Sequence, residues 1–383
     1  MKKILIATLV FFAGMIATNF CHASGYSYYR AITVTSTTSV ASGTNANFPM
    51  LVSSTVSSFE PVSDGGRIQN LCTAATDGGQ EPCDLVFTTS TACTSPLNFE
   101  TEKYVSSTGE IDDWVNVPTM QAGSVIYACY GNSSVNTDQS HPSGTWNSSY
   151  VAVYHFPNGN GSLGLKDSTA NALNGTATST PSSTVGAIDG GISVDGTNFY
   201  TASSSVLGLG GNPRTASGTV EMWGKSPTLG NDTWVINGYN LDGNSNGYGL
   251  SSYYYGTGSP FYKISAYGAY FFGYFPHDTN WHMYSLVFPV LGGDYGYTDG
   301  VATNTNMTDL YGGTTYTGAI DMLTGKGAFN ADELRVLNTA LSASWVQTEY
   351  SNESSPSTFY AVGSETPLIP PSSTLPTSDV TFF

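Results

Sequence analysis

Acidic side chains at alternating positions are the first feature of this sequence that could do chemistry. Two carboxylates flanking one glycosidic bond can share acid and base or nucleophile roles, and residues two apart on a strand project to the same face. Glu100 and Glu102 have that spacing. Glu221 alternates with Trp223, but Thr219 precedes it and Lys225 stands where a second acid would be needed. Asp332 and Glu333 are adjacent, so a regular strand sends them to opposite faces and they cannot pair on one substrate. Glu100 and Glu102 are expected as solvent-facing strand residues, with a catalytic acid pair as the alternative, and Arg335 as half of a structural ion pair.

The remaining chemistry-bearing types argue against a nucleophilic enzyme. His141, His155, His277 and His282 have no serine or cysteine partner in a recognisable motif, and His155 and His282 lie in strand-like runs where packing is the default. Gly208–Gly211 lacks a following Lys-Ser/Thr, so it is a loop and not a phosphate cradle. No catalytic residue is assigned. Aromatic rings are dense from Tyr248 to Tyr284, and sugars offer apolar C–H faces that stack on such rings. Tyr253, Tyr255, Tyr267, Tyr274 and Trp281 are the candidate ligand-binding residues. The alternative is that these rings fill a sandwich core.

The elements that must position these groups are short strands. Runs such as Phe48–Val52, Trp114–Val117, Val151–Phe156, Thr219–Trp223 and Trp281–Phe288 mix β-branched and aromatic residues with period-two patterning, separated by Gly, Asn, Ser and Pro. Such a chain reads as all-β, with two antiparallel sandwich domains and one short helix at Ser342–Tyr350. Only 10% of the 383 residues are charged, and 28 acidic against 11 basic residues give a net charge of −17. That balance excludes nucleic acid as a partner.

Residues 1–23 carry Lys2-Lys3, an apolar run and small residues before a cleavage point after Ala23, the pattern of a secretory signal peptide. Its removal leaves no run apolar and long enough to span a bilayer. The expected location is extracellular or at the cell surface, with the periplasm as the alternative. Cys72, Cys83, Cys93 and Cys129 remain, an even number that favours two disulfides in an exported protein. Of three possible pairings, Cys72 with Cys83 and Cys93 with Cys129 is the preferred one. A zinc site lacks any CxxC spacing or nearby histidine. The expected organisation is residues 24–150 as a first sandwich bearing the cysteines, 151–366 as a second, and 367–383 as a Pro/Ser/Thr-rich tail.

Two resemblances sharpen these expectations. Tyr29-Arg30, Asn47–Val52, Asp84–Phe87, Leu97–Glu102, Trp114–Pro118 and Tyr130-Gly131-Asn132 resemble, in order and spacing, the bacterial extracellular family catalogued as domain of unknown function number 2341, which implies no defined activity. The second half resembles laminin-G-like, concanavalin A-like jelly rolls. The segments that carry this are Tyr154-His155-Phe156, Asp167–Asn171, Val194-Asp195-Gly196, Thr219–Trp223, Trp281-His282-Met283, Tyr297–Val301 with its YxDG turn, and Ala331–Val336 followed by Leu341–Trp345. This resemblance implies glycan or protein binding, often with bound calcium. The Glu-x-Asp-x-x-Glu run of the laminarinase-like hydrolases on this fold is absent.

Calcium takes several oxygen ligands, which Asp/Asn/Gly turns supply. The jelly roll would bring Asp167, Asn171, Asp195 and Asp332 to one edge, giving one structural Ca2+; the alternative is that these side chains cap turns. The expectation is a secreted, non-catalytic carbohydrate-binding or adhesive protein acting on a glycan or cell-surface partner. The alternatives are a jelly-roll glycoside hydrolase or lyase and a structural component of an extracellular assembly.

Overall fold

The computed structural model describes residues 25–35, 40, 45–73, 78–157, 165–177, 182–194, 200–203, 217–225, 234–237, 249–252, 261–266, 270–276, 278–290, 295–303, 319–325 and 329–368. Residues 1–23, read on sequence as a signal peptide, and most of the Pro/Ser/Thr-rich tail lie outside them. The fold is all-β, as the period-two patterning requires, and its sheets are antiparallel.

In the first half, the strands Asn45–Thr55, Glu110–Met120 and Phe99–Val105 form a three-stranded sheet in that order. It faces a second sheet built on Tyr28–Val34, Val125–Tyr130 and Val86–Thr88. Phe48, Met50, Val52, Phe99, Ile111, Val115 and Val117 point into the core between the two. Alternation sends Leu51 and Trp114 to the other face, and both are fully buried there too. That face is covered by the second half, where Trp146, Tyr150, Val153, Ile188 and Leu337 join Leu51 and Trp114 in one apolar cluster. The three-stranded sheet is thus a middle layer, covered on both faces around Leu51 and Trp114.

The largest sheet of the second half has eight strands. Phe329–Leu337 lies at its centre, paired with Gly218–Lys225 on one side and with Gly190–Val194 and Tyr150–Tyr154 on the other. The helix expected near Ser342 runs Ala343–Ser354, with the Ser342 hydroxyl accepting the Trp345 amide at 3.1 Å as its N-cap. Asn352 of this helix docks on the first half, its side chain bonding both the amide and the carbonyl of Leu51 at 2.7 and 2.9 Å. The YxDG turn holds Asp299 and Gly300 at positive φ, and Asp299 accepts the Met283 amide at 3.1 Å.

After the helix the chain returns to the first half. Tyr360–Val362 and Thr366–Pro367 both pair with Tyr28–Val34, and the Tyr360 hydroxyl bonds the amide and carbonyl of Ser53. Residues 360–366, grouped with the second sandwich on sequence, and Pro367, grouped with the tail, add two strands to the sheet of the first.

Both expected disulfides form, Cys72–Cys83 and Cys93–Cys129, with Cα separations of 5.2 and 5.9 Å. Cys93 and Cys129 are buried in the first core and lie 36 residues apart. A loop of that size lowers unfolded-chain entropy enough that a Cys93→Ala/Cys129→Ala variant should lose about 3–4 kcal/mol. Guanidinium unfolding of the variant beside the unaltered protein measures this, and an unchanged midpoint would contradict it.

Candidate functional site

The seam between the middle layer and the second half holds a cluster of acids, a histidine and an arginine. Phe99–Val105 supplies Glu100 and Glu102 on its seam-facing side, next to Trp114 of the neighbouring strand. His155 directly follows the strand Tyr150–Tyr154. Phe329–Leu337 supplies Glu333 and Arg335, which share a face, and the helix supplies Glu349 and Glu353 one turn apart. Glu221 lies opposite Arg335 on the adjacent strand. A register shift between Glu221 and Trp223 coincides with Glu333 at φ 50°, a left-handed backbone that a side chain other than glycine adopts at a cost.

These groups bind one another closely. His155 Nδ1 lies 2.7 Å from Glu333 Oε1 and 3.5 Å from Glu102 Oε2, and its Nε2 lies 3.3 Å from Glu100 Oε2. Glu100 also accepts from the Trp146 indole and the Ser168 hydroxyl, and Glu102 accepts from the Trp114 indole at 2.7 Å. Arg335 bonds Glu333 Oε2 at 2.8 Å and Glu353 Oε1 at 2.6 Å, with its guanidinium 4.6 Å from the Trp114 ring centroid. Glu353 accepts the Trp223 indole and Glu349 the Tyr150 hydroxyl. The ion pair expected of Arg335 is therefore present, with two acids.

Electrostatics divides the acids into two kinds. Burial alone would depress the His155 imidazolium, but Glu333, Glu100 and Glu102 hold its pKa well above the usual value. Burial would likewise raise Glu100 and Glu333, yet His155, joined by Arg335 at Glu333, keeps both below the ordinary carboxylate value. Glu102 and Glu349 are raised well above it by burial, then by Glu333 and Glu221 respectively. Burial pushes Glu221 up to about 7. The seam thus sets two cations among the acids: His155 and Arg335 hold Glu100 and Glu333 low, while burial and like charge raise Glu102, Glu349 and Glu221.

Glu100 and Glu102 correct the sequence expectation: they do not face solvent. Glu100, Glu102, His155, Glu333 and Arg335 are each at most 1% exposed. General acid–base work needs the group within hydrogen-bond reach of substrate, and this cluster is enclosed. His155 is held by carboxylates as well as by packing, which its strand-like setting did not signal.

The other sequence-picked residues are dispersed. Asp167 accepts the amides of Val153, Thr169 and Leu173 and the Thr169 hydroxyl, and Asn171 donates to the Val151 carbonyl, so these two organise one turn. Asp332 accepts the amides of Ala187, Ile188 and Glu333 in a different loop contact. Asp195 lies outside the described residues, as do Tyr253, Tyr255 and Tyr267. Tyr274 belongs to a two-stranded hairpin of Phe261–Ala266 and Tyr270–Pro276, opposite Lys263 in the backbone register. Trp281 is half-buried with the Lys225 ammonium 5.6 Å from its ring centroid. Beside it, His282 bridges Asp299 at 2.7 Å and Asp278 at 3.1 Å, and Asp278 is 40% exposed.

No family model matches the chain, and no curated protein matches it. Among solved structures, domain 4 of AbnA, a GH43 extracellular arabinanase from Geobacillus stearothermophilus in complex with arabinotriose, is similar over 52% of this chain and 97% of its own, at 19% identity and a TM-score of 0.38. The binding domain of Paraclostridial Mosquitocidal Protein 1 is similar over 53% of this chain and 52% of its own, at 13% identity and a TM-score of 0.40. Botulinum neurotoxin type C, whose cell entry depends on interaction with two ganglioside molecules, is similar over 54% of this chain and 52% of its own, at 11% identity and a TM-score of 0.40. The chain spans about half the length of these two toxin chains.

Proposed function

We propose that this protein is an exported, non-catalytic carbohydrate-binding or adhesive module whose ligand site includes Trp281 and its neighbours. The observation that carries the reading is the grouping of Trp281, Lys225, His282 and the exposed Asp278 at one end of the large sheet. A ring that can stack on a sugar face, flanked by charged and hydrogen-bonding groups that can take its hydroxyls, is the chemistry a glycan requires. Enclosure of the Glu–His–Arg cluster supports the non-catalytic part, because no substrate reaches those groups. The two disulfides suit an oxidising, extracytoplasmic compartment, which supports export. Among the described residues no helix is long and apolar enough to cross a membrane.

The test is a glycan array on the full exported chain, followed by calorimetric titration of the hits, with arabino-oligosaccharides and gangliosides among the probes. Trp281→Ala should weaken the best ligand at least about tenfold, roughly 1.4 kcal/mol. Each titration is run with calcium and with chelator, which tests the expected structural Ca2+ directly. The same panel should release no reducing sugar. Absence of binding to every glycan would overturn the proposal, and undiminished affinity in Trp281→Ala would remove Trp281 from the site.

A further inference from the structure

We infer that Glu102, His155 and Glu333 form a binding site for one divalent transition-metal ion of the zinc type, built into the seam between the two halves. One ligand atom from each of the three residues lies within 4.8 Å of the other two, a spread that an ion with bonds of about 2.0–2.2 Å can draw together. A second observation points the same way. Glu102 is 1% exposed, its Oε2 takes the Trp114 indole and lies 3.5 Å from His155 Nδ1, and its Oε1 has no hydrogen-bond partner among the described residues. A buried carboxylate oxygen left so loses its hydration without compensation, and a cation would supply the missing partner.

The surroundings of each ligand fit the same assignment. Ligand side chains in metal sites are oriented by hydrogen bonds to their other polar atoms. Here the Trp114 indole fixes Glu102 and Arg335 fixes Glu333 through Oε2. Glu100, itself anchored by Trp146 and Ser168, faces His155 Nε2, so Nδ1 is the nitrogen turned toward Glu102 and Glu333. One imidazole with two carboxylates matches zinc and its neighbours in the first transition row, whereas calcium prefers six or more oxygens. The ion would replace the proton now shared between His155 Nδ1 and Glu333 Oε1, so binding releases protons. Enclosure gives it a structural role, clamping one strand of the first half to two segments of the second.

The experiment uses the full chain with its disulfides intact, unfolded in denaturant and refolded with zinc or with chelator, then dialysed and assayed for bound metal. The expected result is about one zinc per chain, with a higher thermal midpoint than the chelator-refolded protein. Glu102→Gln keeps the size and an acceptor for Trp114, and should cut bound zinc at least about tenfold and abolish the zinc-dependent rise in midpoint. Asp167→Asn, in the separate turn, should retain the metal. Less than about 0.1 zinc per wild-type chain, or full retention in Glu102→Gln, would overturn the assignment. Should Glu102→Gln fail to refold, His155→Gln read by the same metal assay replaces it.

Discussion

Arg335→Met is expected to lower the free energy of unfolding by about 3–5 kcal/mol. The guanidinium is buried between Glu333 and Glu353, and it lies over the Trp114 ring. Methionine fills part of the volume and stacks on the indole, yet leaves Glu333 beside His155 alone and Glu353 with only the Trp223 indole. Stranded buried charge is among the few mechanisms that produce losses of this size, and most domains have only about 5–15 kcal/mol in total. The readout is a guanidinium midpoint that falls with an unchanged slope, which marks lost stability without a change in the surface exposed. Glu353→Gln keeps an acceptor for Trp223 and should cost clearly less. If Arg335→Met unfolded at the wild-type midpoint, the ion pairs would contribute nothing beyond their desolvation.

Stability is expected to fall as pH rises from about 5 to about 8, the reverse of acid unfolding. Burial, reinforced by Asp138 and Asp113, pushes the Glu81 carboxyl up to about 9. Burial also pushes Asp113 up to about 8, with Asp112 adding to the rise and Thr101, its opposite residue on the neighbouring strand, opposing it. Both acids are raised, so the folded state binds the extra proton. Below pH about 4 both states are protonated and the full stability is present; above that the unfolded chain ionises first. Each group then costs about 1.4 kcal/mol per pH unit until its folded pKa is reached. His282 acts in the same direction: Asp299 and Asp278 outweigh its burial and raise its pKa, and that contribution is lost as pH climbs through the raised value. Asp113→Asn removes one titrating proton, so it should flatten the decline and leave the protein more stable than wild type at pH 8. Unfolding midpoints at unit pH steps decide the matter; a wild-type profile that is flat or rising over this window would sink it.

Much of the architecture was legible because β-patterning is local. Alternation in Phe48–Val52 and Trp114–Val117, the short helix near Ser342 and the YxDG turn each depend on a few neighbouring residues, and each appears where it was read. The seam was not legible for the same reason. Alternation places Glu100 and Glu102 on one face of a strand but does not say that another sheet covers that face. His155 and Glu333, which complete the cluster, stand 55 and 233 residues from Glu100 in the chain, so no spacing joins them. The left-handed backbone at Glu333 is set by the register shift against Gly218–Lys225, and nothing in Asp332-Glu333-Leu334 announces it. One signal was available: Trp114, Trp146 and Trp223 all offer an indole N–H, and a buried indole seeks an acceptor, which here is Glu102, Glu100 or Glu353.

Tyr28–Val34 has Val125–Tyr130 on one side and Tyr360–Val362 with Thr366–Pro367 on the other. Its second neighbour is made more than 320 residues later than the strand itself. During synthesis the first half therefore waits with an open edge that can template pairing with a second chain. Closing it needs a contact of very long sequence separation, the kind that slows folding most. The layout makes closure of this sheet wait for synthesis of the chain through Pro367, and it makes the interval before closure the period in which the chain depends most on holding chaperones and dilution.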